Sequence, residues 1–302
     1  MTVPAAPARG SVRYLLVACA WFALLGLVVA VAGTSALFEP YTAAMAQRFF
    51  GAPSLPADVV PFTAFLFGPI GGSIAGKWVA AGAVVWGGLA QRERWAWHAS
   101  VAGLASWFVI DSGMSIVHGA YFNVLMINLV PLALFGAPLF FARRPVEGSG
   151  RPPPTPAHRA AFHHWLMGAS VAFALLGAVL TVAPGTFVLA LWESMAATHF
   201  FGLDSLPPPV RPLEAFLFAP LGGTITGQFV LIAYLAAFPV RRGERWGLAA
   251  IAISLATWFV IDSSVCAFHG AWFNVLTVNV MTIAVMAPPL AALWASSRAP
   301  SA

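Results

Sequence analysis

The chain is written twice. The run Trp107-Phe108-Val109-Ile110-Asp111-Ser112 recurs residue for residue as Trp258-Phe259-Val260-Ile261-Asp262-Ser263, and the offset from 111 to 262, 151 residues, is half of the 302-residue length. Without a gap, the same offset carries His118-Gly119-Ala120 onto His269-Gly270-Ala271 and Phe122-Asn123-Val124-Leu125 onto Phe273-Asn274-Val275-Leu276. It also carries Asn128 onto Asn279, and Phe22-Ala23-Leu24-Leu25-Gly26 onto the run from Phe173 to Gly177. Internal repetition makes each copy the expected folding unit, and it separates the polar residues kept in both copies from those that diverged.

Each copy supplies four long apolar stretches. At 60% hydrophobic and 8% charged residues, with a mean hydropathy of +0.84, the chain is too poor in charge for a water-facing globular surface. Because a bilayer-crossing helix needs about 20 mainly apolar residues, spans are expected at 13–37, 64–90, 95–118 and 121–142, and again at 162–188, 215–240, 246–269 and 272–294. The fold class is therefore all-α integral membrane: eight transmembrane helices in two tandem four-helix repeats. An even number of spans per copy gives both the same orientation, related by a pseudo-twofold axis along the membrane normal. The expected domains are residues 1–142, a linker over 143–160 built on Arg151-Pro152-Pro153-Pro154-Thr155-Pro156, and residues 161–302.

Basic residues orient the helices, since cytoplasmic segments keep Lys and Arg. With the N-terminus inside, the inner segments hold Arg9, Arg13, Arg92, Arg94, Arg143, Arg144, Arg151, Arg159, Arg241, Arg242, Arg245 and Arg298, while the outer loops hold Arg48 and Arg211. Glu39, Asp58, Glu193, Asp204 and Glu214 fall on the outer side. A multi-pass inner-membrane protein with both termini cytoplasmic is expected, and the pI near 9.9 then reflects topology and not nucleic-acid binding. Residues 32–36 resemble a signal-peptidase site, but the counterpart of this helix lies mid-chain, so the first helix is expected to be retained. Cys19 and Cys266 occupy unmatched positions and imply no disulfide.

The loop after the first span of each copy is long enough to hold structure. Glu39-Pro40-Tyr41 opens like a helix, Phe49-Phe50-Gly51 closes it, and Trp192-Glu193 and Phe200-Phe201-Gly202 match them. An anchor in the outer interface is the expected role, with a cap over the helices as the alternative. In the second span, Gly68-Pro69, Gly72 and Gly76 correspond to Ala219-Pro220, Gly223 and Gly227. Such a small-residue stripe lets helices approach closely in lipid; opening of the helix at the Gly-Pro step is the alternative.

Ionisable groups at membrane depth cost about 2.5 to 3.5 kcal/mol on insertion scales and are candidate functional positions. Asp111 lies ~24 Å from the inner end of its helix, and Ser115 and His118 follow on the same face, with Trp107 one turn inward. The second copy repeats this stripe as Trp258, Asp262, Cys266 and His269. Lys77 falls at a matching depth, ~22 Å, so a Lys77–Asp111 ion pair is expected. Its counterpart is Gln228, which leaves Asp262 to be protonated, to bond Gln228, or to share Lys77 across the axis. In the short turn, Asn123 is placed to cap the fourth helix or hold the histidine, and Asn128 to bond a neighbouring helix.

The candidate ligand-binding set is thus Asp111, Ser115, His118, Asn123, Asp262, Cys266, His269 and Asn274, with Lys77 and Gln228 as charge partners. Transport of a small solute or ion is the leading reading, with the aspartates binding a cation or relaying protons. A membrane metal or redox enzyme, with Asp111, His118, Asp262 and His269 as ligands, is the second, although an i, i+7 pair separated by ~10 Å suits one ion poorly. Haem ligation by the two histidines lacks any further signature. A non-catalytic assembly or sensor protein is the third reading, and a structural polar network would use the same residues. No phosphate loop, dinucleotide fingerprint, nucleophile elbow or zinc-protease helix occurs. His98, which has no counterpart histidine, and His163 and His164 read as membrane-surface residues. The sequence names no cofactor; the bilayer is the partner it implies.

Overall fold

The computed structural model describes residues 9–141 and 157–297, and among them every regular element is helical. Among the described residues eight helices are long and apolar enough to cross a membrane: α1 (Arg9–Ala32), α3 (Val60–Gly87), α4 (Arg94–Val117), α5 (Tyr121–Phe140), α6 (Ala157–Leu180), α8 (Arg211–Leu235), α9 (Arg245–Phe268) and α10 (Trp272–Ser296). Two shorter helices, α2 (Glu39–Phe50) and α7 (Ala190–Phe201), lie between the first and second long helix of each half. Most of the 143–160 linker falls outside the described residues.

Local chemistry accounts for many of the boundaries. Proline sits in the first turn of α2, α3 and α8, where its missing N–H costs nothing. Gly51 and Gly202 end α2 and α7 at φ near +64° and +66°, a left-handed cap that a Cβ disfavours. α5 and α10 carry π-helical stretches at Val124–Asn128, Leu132–Gly136 and Val275–Val280, and another at Ala236–Val240 follows α8. Pro131 and Pro239, which remove backbone donors, lie beside or within two of them.

α3 and α8 form the centre. Of their apolar windows, 61% and 83% are buried in protein, against 22% for α6 at the periphery. Lipid tails are as apolar as leucine, so the helices gain little from burial and must associate by close backbone approach and polar contacts. Both devices are present. A Cβ added at Gly26 of α1 would lie 2.6 Å from the backbone nitrogen of Ala75 on α3, and one at Gly177 of α6 would lie 2.8 Å from the nitrogen of Thr226 on α8.

The glycine stripes face the opposite half. α3 lies along α9, where Gly72 meets Asp262 and Trp258, and Gly76 meets Ser254. α8 lies along α4, where Gly223 meets Asp111, and Gly227 meets Trp107 and the Gly103 carbonyl. α3 barely touches α4, its neighbour in sequence, and α8 barely touches α9. The two sets of four helices interlock through these crossed contacts. Helix α3 runs on through Pro69 without opening, as packing requires. At the end remote from α2 and α7, Arg242 makes a two-pronged ion pair with Glu93, at 2.8 and 3.2 Å, which also joins the halves.

The short helices lie over the bundle. Tyr41, Met45 and Ala46 of α2 and Ala196 and Ala197 of α7 are buried. Phe49 of α2 stacks on Phe216 of α8 with centroids 5.3 Å apart, and Phe200 of α7 lies 5.0 Å from Phe65 of α3. Each lid therefore packs across onto the other half, where its rings find aromatic partners that lipid would not supply.

Candidate functional site

Beneath each lid lies an aspartate. Asp111 is 1% exposed on α4, with Trp107 one turn below it and Ser115 one turn above. Its Oδ1 accepts hydrogen bonds from Asn123 Nδ2 at 2.8 Å and Ser115 Oγ at 3.2 Å, and Asn123 Nδ2 also reaches Ser115 Oγ at 2.9 Å. The other end of the Asn123 amide, Oδ1, accepts from the Tyr41 hydroxyl at 2.8 Å. Lid, hairpin and carboxylate thus form one chain of hydrogen bonds. Burial first, and nearby Asp111 second, push the Tyr41 hydroxyl well above its ordinary range, so it keeps its proton and donates.

The second cluster has the same plan with looser bonds. Asp262 Oδ1 accepts from Cys266 Sγ at 3.0 Å and from Asn274 Nδ2 at 3.4 Å, and Asn274 Nδ2 lies 3.3 Å from Cys266 Sγ. Trp192 takes the place of Tyr41, its indole Nε1 donating to Asn274 Oδ1 at 3.0 Å. One turn along, Asn128 donates to Ser112 and Asn279 to Ser263, each at 3.0 Å, and both asparagines sit in π-helical stretches. Their Oδ1 atoms are buried without a hydrogen-bond partner among the described residues.

Why the chain places the carboxylates here follows from the crossed packing. Gly223 and Gly72 offer bare backbone, so the Asp111 and Asp262 side chains fit between helices: an added Cβ would meet the aspartate Cβ at 3.0 and 3.2 Å.

The two histidines stand apart from these clusters. His118 and His269 follow the last turns of α4 and α9, and what the lids hold is their backbone: Arg48 Nε donates to the His118 carbonyl at 2.9 Å, and the ring Nε2 of His199 lies 2.8 Å from the His269 carbonyl. Gly119 and Gly270, at φ of +68° and +69°, make the tight turns that follow. Burial, with Arg48 nearby, lowers the affinity of His118 for a proton; burial, with His199 nearby, does the same for His269. Among the described residues no three His, Cys, Asp or Glu side chains gather as a metal-ligand group, so Asp111, His118, Asp262 and His269 do not make one ligand set.

Lys77 departs furthest from expectation. Only 2% exposed, it forms no ion pair with Asp111; its Nζ lies 3.7 Å from the Trp107 ring centroid and 4.8 Å from that of Trp78, with no hydrogen-bond acceptor among the described residues. The cause is the crossed packing, which lays the stem over Gly227 and aims the ammonium at Trp107, one turn short of the carboxylate. Gln228 does not reach Asp262 either. It donates to Ser254 Oγ at 3.0 Å, which in turn donates to the Gly76 carbonyl at 2.8 Å.

Sequence reasoning passed over Tyr41 and Trp192 as site residues, and over Arg48, His199, Ser73 and Thr224. The usable signal was the repeat offset itself, which pairs 41 with 192 and 48 with 199: each pair differs in residue type yet keeps a side-chain donor.

Comparison with protein-family models, with curated proteins and with solved structures found no match.

Proposed function

We propose that the protein transports a small solute or ion, with Asp111 and Asp262 as paired proton- or cation-binding groups of two interlocked, parallel-oriented halves that arose by duplication. The observation that carries this reading is the twin cluster: two carboxylates buried among membrane-crossing helices, each hydrogen-bonded to an asparagine that a lid helix also grips. A purely structural network would not need an ionisable group, which is the costliest way to pin a hairpin in lipid. The lids supply the gate, since releasing Tyr41 or Trp192 exposes the polar end of a cluster. In this reading the lids face the outside and both termini the cytoplasm of an inner membrane, because the basic residues concentrate at the other end.

The test is reconstitution into liposomes loaded with a pH indicator, under imposed proton, sodium and potassium gradients. Wild type is expected to dissipate at least one gradient, and Asp111→Asn and Asp262→Asn each to abolish the flux while remaining folded and inserted. Wild-type flux in both variants would overturn the proposal, as would the absence of any flux in the wild type.

A further inference from the structure

Lys77 is held by less than it needs. An ammonium over an indole face gains less than burying a charge without hydrogen-bond partners costs. Trp107 is therefore an incomplete resting place. Asp111 lies four residues further along the same helix, ~6 Å outward, within the swing of a lysine stem. The stem crosses Gly227, so no side chain at that position blocks the swing.

The second half has removed this situation in two coordinated places. Gln228 replaces the lysine, and Ser254 supplies the acceptor that holds it; the residue matching Ser254 in the first half is Gly103, which offers no side chain.

We infer that Lys77 is a tethered competitor for the cation site at Asp111. With a proton or a small monovalent cation on Asp111, the ammonium rests on Trp107. When the carboxyl releases its proton toward the lid side, the ammonium moves onto the carboxylate and replaces the lost positive charge. The exchange requires Lys77 to keep its three protons, so that each cycle moves one proton at Asp111 and none at the amine. Asp262, beside the fixed and neutral Gln228, has no internal competitor. The other titratable groups facing this pair are Tyr41 of α2, near Asp111, and Cys19 of α1, near Lys77. This inference rests on the transport reading for its purpose, but not for its test.

The test is an acid titration of the purified full-length protein by infrared spectroscopy, following the carboxylic C=O band that Asp111→Asn removes. In Lys77→Gln, and in Lys77→Met, which keeps an apolar stem over Gly227, the pH at which this band is half developed should rise by about one unit or more, a tenfold change in proton affinity. In Trp107→Leu, which removes the resting place, it should fall. The band that Asp262→Asn removes should stay where it is in all three. An Asp111 band unmoved by the lysine substitutions, a shift of the same sign in Trp107→Leu, an equal shift at Asp262, or no band assignable to Asp111 would each overturn the inference. Opposite shifts in a protein that passes no ions would retire transport and leave the competition standing.

Discussion

Ser73 Oγ and Thr224 Oγ1 lie 2.6 Å apart, and 151 residues separate them in the chain. The contact joins the two central helices, α3 and α8, at positions one sequence-repeat offset apart. Each hydroxyl also lies within hydrogen-bonding distance of a carbonyl in its own helix, Ser73 of Ile70 at 2.8 Å and Thr224 of Pro220 at 2.7 Å, and with one proton apiece whichever hydroxyl donates across the contact gives up its own-helix bond. Ser73→Ala and Thr224→Val should each destabilise by about 0.6 to 1 kcal/mol. The double variant should lose little more than the worse single one. Additive losses in thermal unfolding would mean that the two hydroxyls do not interact.

The two asparagines should differ in weight. Asn123 makes bonds of 2.8 to 2.9 Å to Tyr41, Asp111 and Ser115, while those of Asn274 run from 3.0 to 3.4 Å. Asn123→Ala should cost about 2 to 3 kcal/mol, because a buried acid loses a partner, and Asn274→Ala nearer 1 kcal/mol. Equal losses in unfolding experiments would contradict the bond lengths.

Tyr41→Phe keeps the ring, and its edge contact with Phe122, but removes the hydroxyl that ties α2 to Asn123. Amide hydrogen exchange should speed up across Glu39–Phe50 and remain slow in α3, because the lid would open locally without unfolding the bundle. Unchanged protection of α2 would show that its aromatic contacts alone hold it closed.

At the two stripe glycines beside the aspartates, added bulk has no outlet. Gly223→Val and Gly72→Val would push against Asp111 and Asp262 and their helices' backbone, at 3.0 to 3.2 Å from the first added carbon. A loss of about 1 to 3 kcal/mol is expected from overpacking. Gly113, with nothing within 4 Å of an added Cβ, should accept alanine without loss and serves as the control.

Two histidines should add to the acid sensitivity of the fold. His118 and His269 bind protons less readily folded than unfolded. At these two groups the unfolded chain therefore holds more protons below about pH 6.5, and the stability they contribute above that value is lost as the pH drops. Between about pH 7.5 and about pH 5.5 the change in unfolding temperature should be less destabilising in a His118→Gln, His269→Gln double variant than in the wild type. An identical slope in that variant would assign the acid sensitivity elsewhere.

Helix number and position were legible because a span depends on a local property, an unbroken apolar run: the stretch expected at 246–269 is Arg245–Phe268, and that expected at 272–294 is Trp272–Ser296. The face shared by Trp107, Asp111 and Ser115 was legible for the same reason, since i, i+4 spacing is intrinsic to a helix. Partners across helices were not. The Lys77–Asp111 pair failed because matching depth says nothing about azimuth or about which helix lies alongside, and Tyr41 and Trp192 went unassigned because a lid and an interfacial anchor share one aromatic signature.

By itself the sequence determined an all-helical chain with eight membrane-length helices, small residues along two of them, and two carboxylates with their asparagines one hairpin apart. These are consequences of local hydrophobicity and helical period. Only the tertiary structure decided that α3 lies against α9 and α8 against α4, that the lids cross over the opposite half, and that Lys77 rests on an indole with its carboxylate one turn away. Those outcomes depend on which glycine-lined backbone approaches which helix, a long-range steric match that no local pattern encodes.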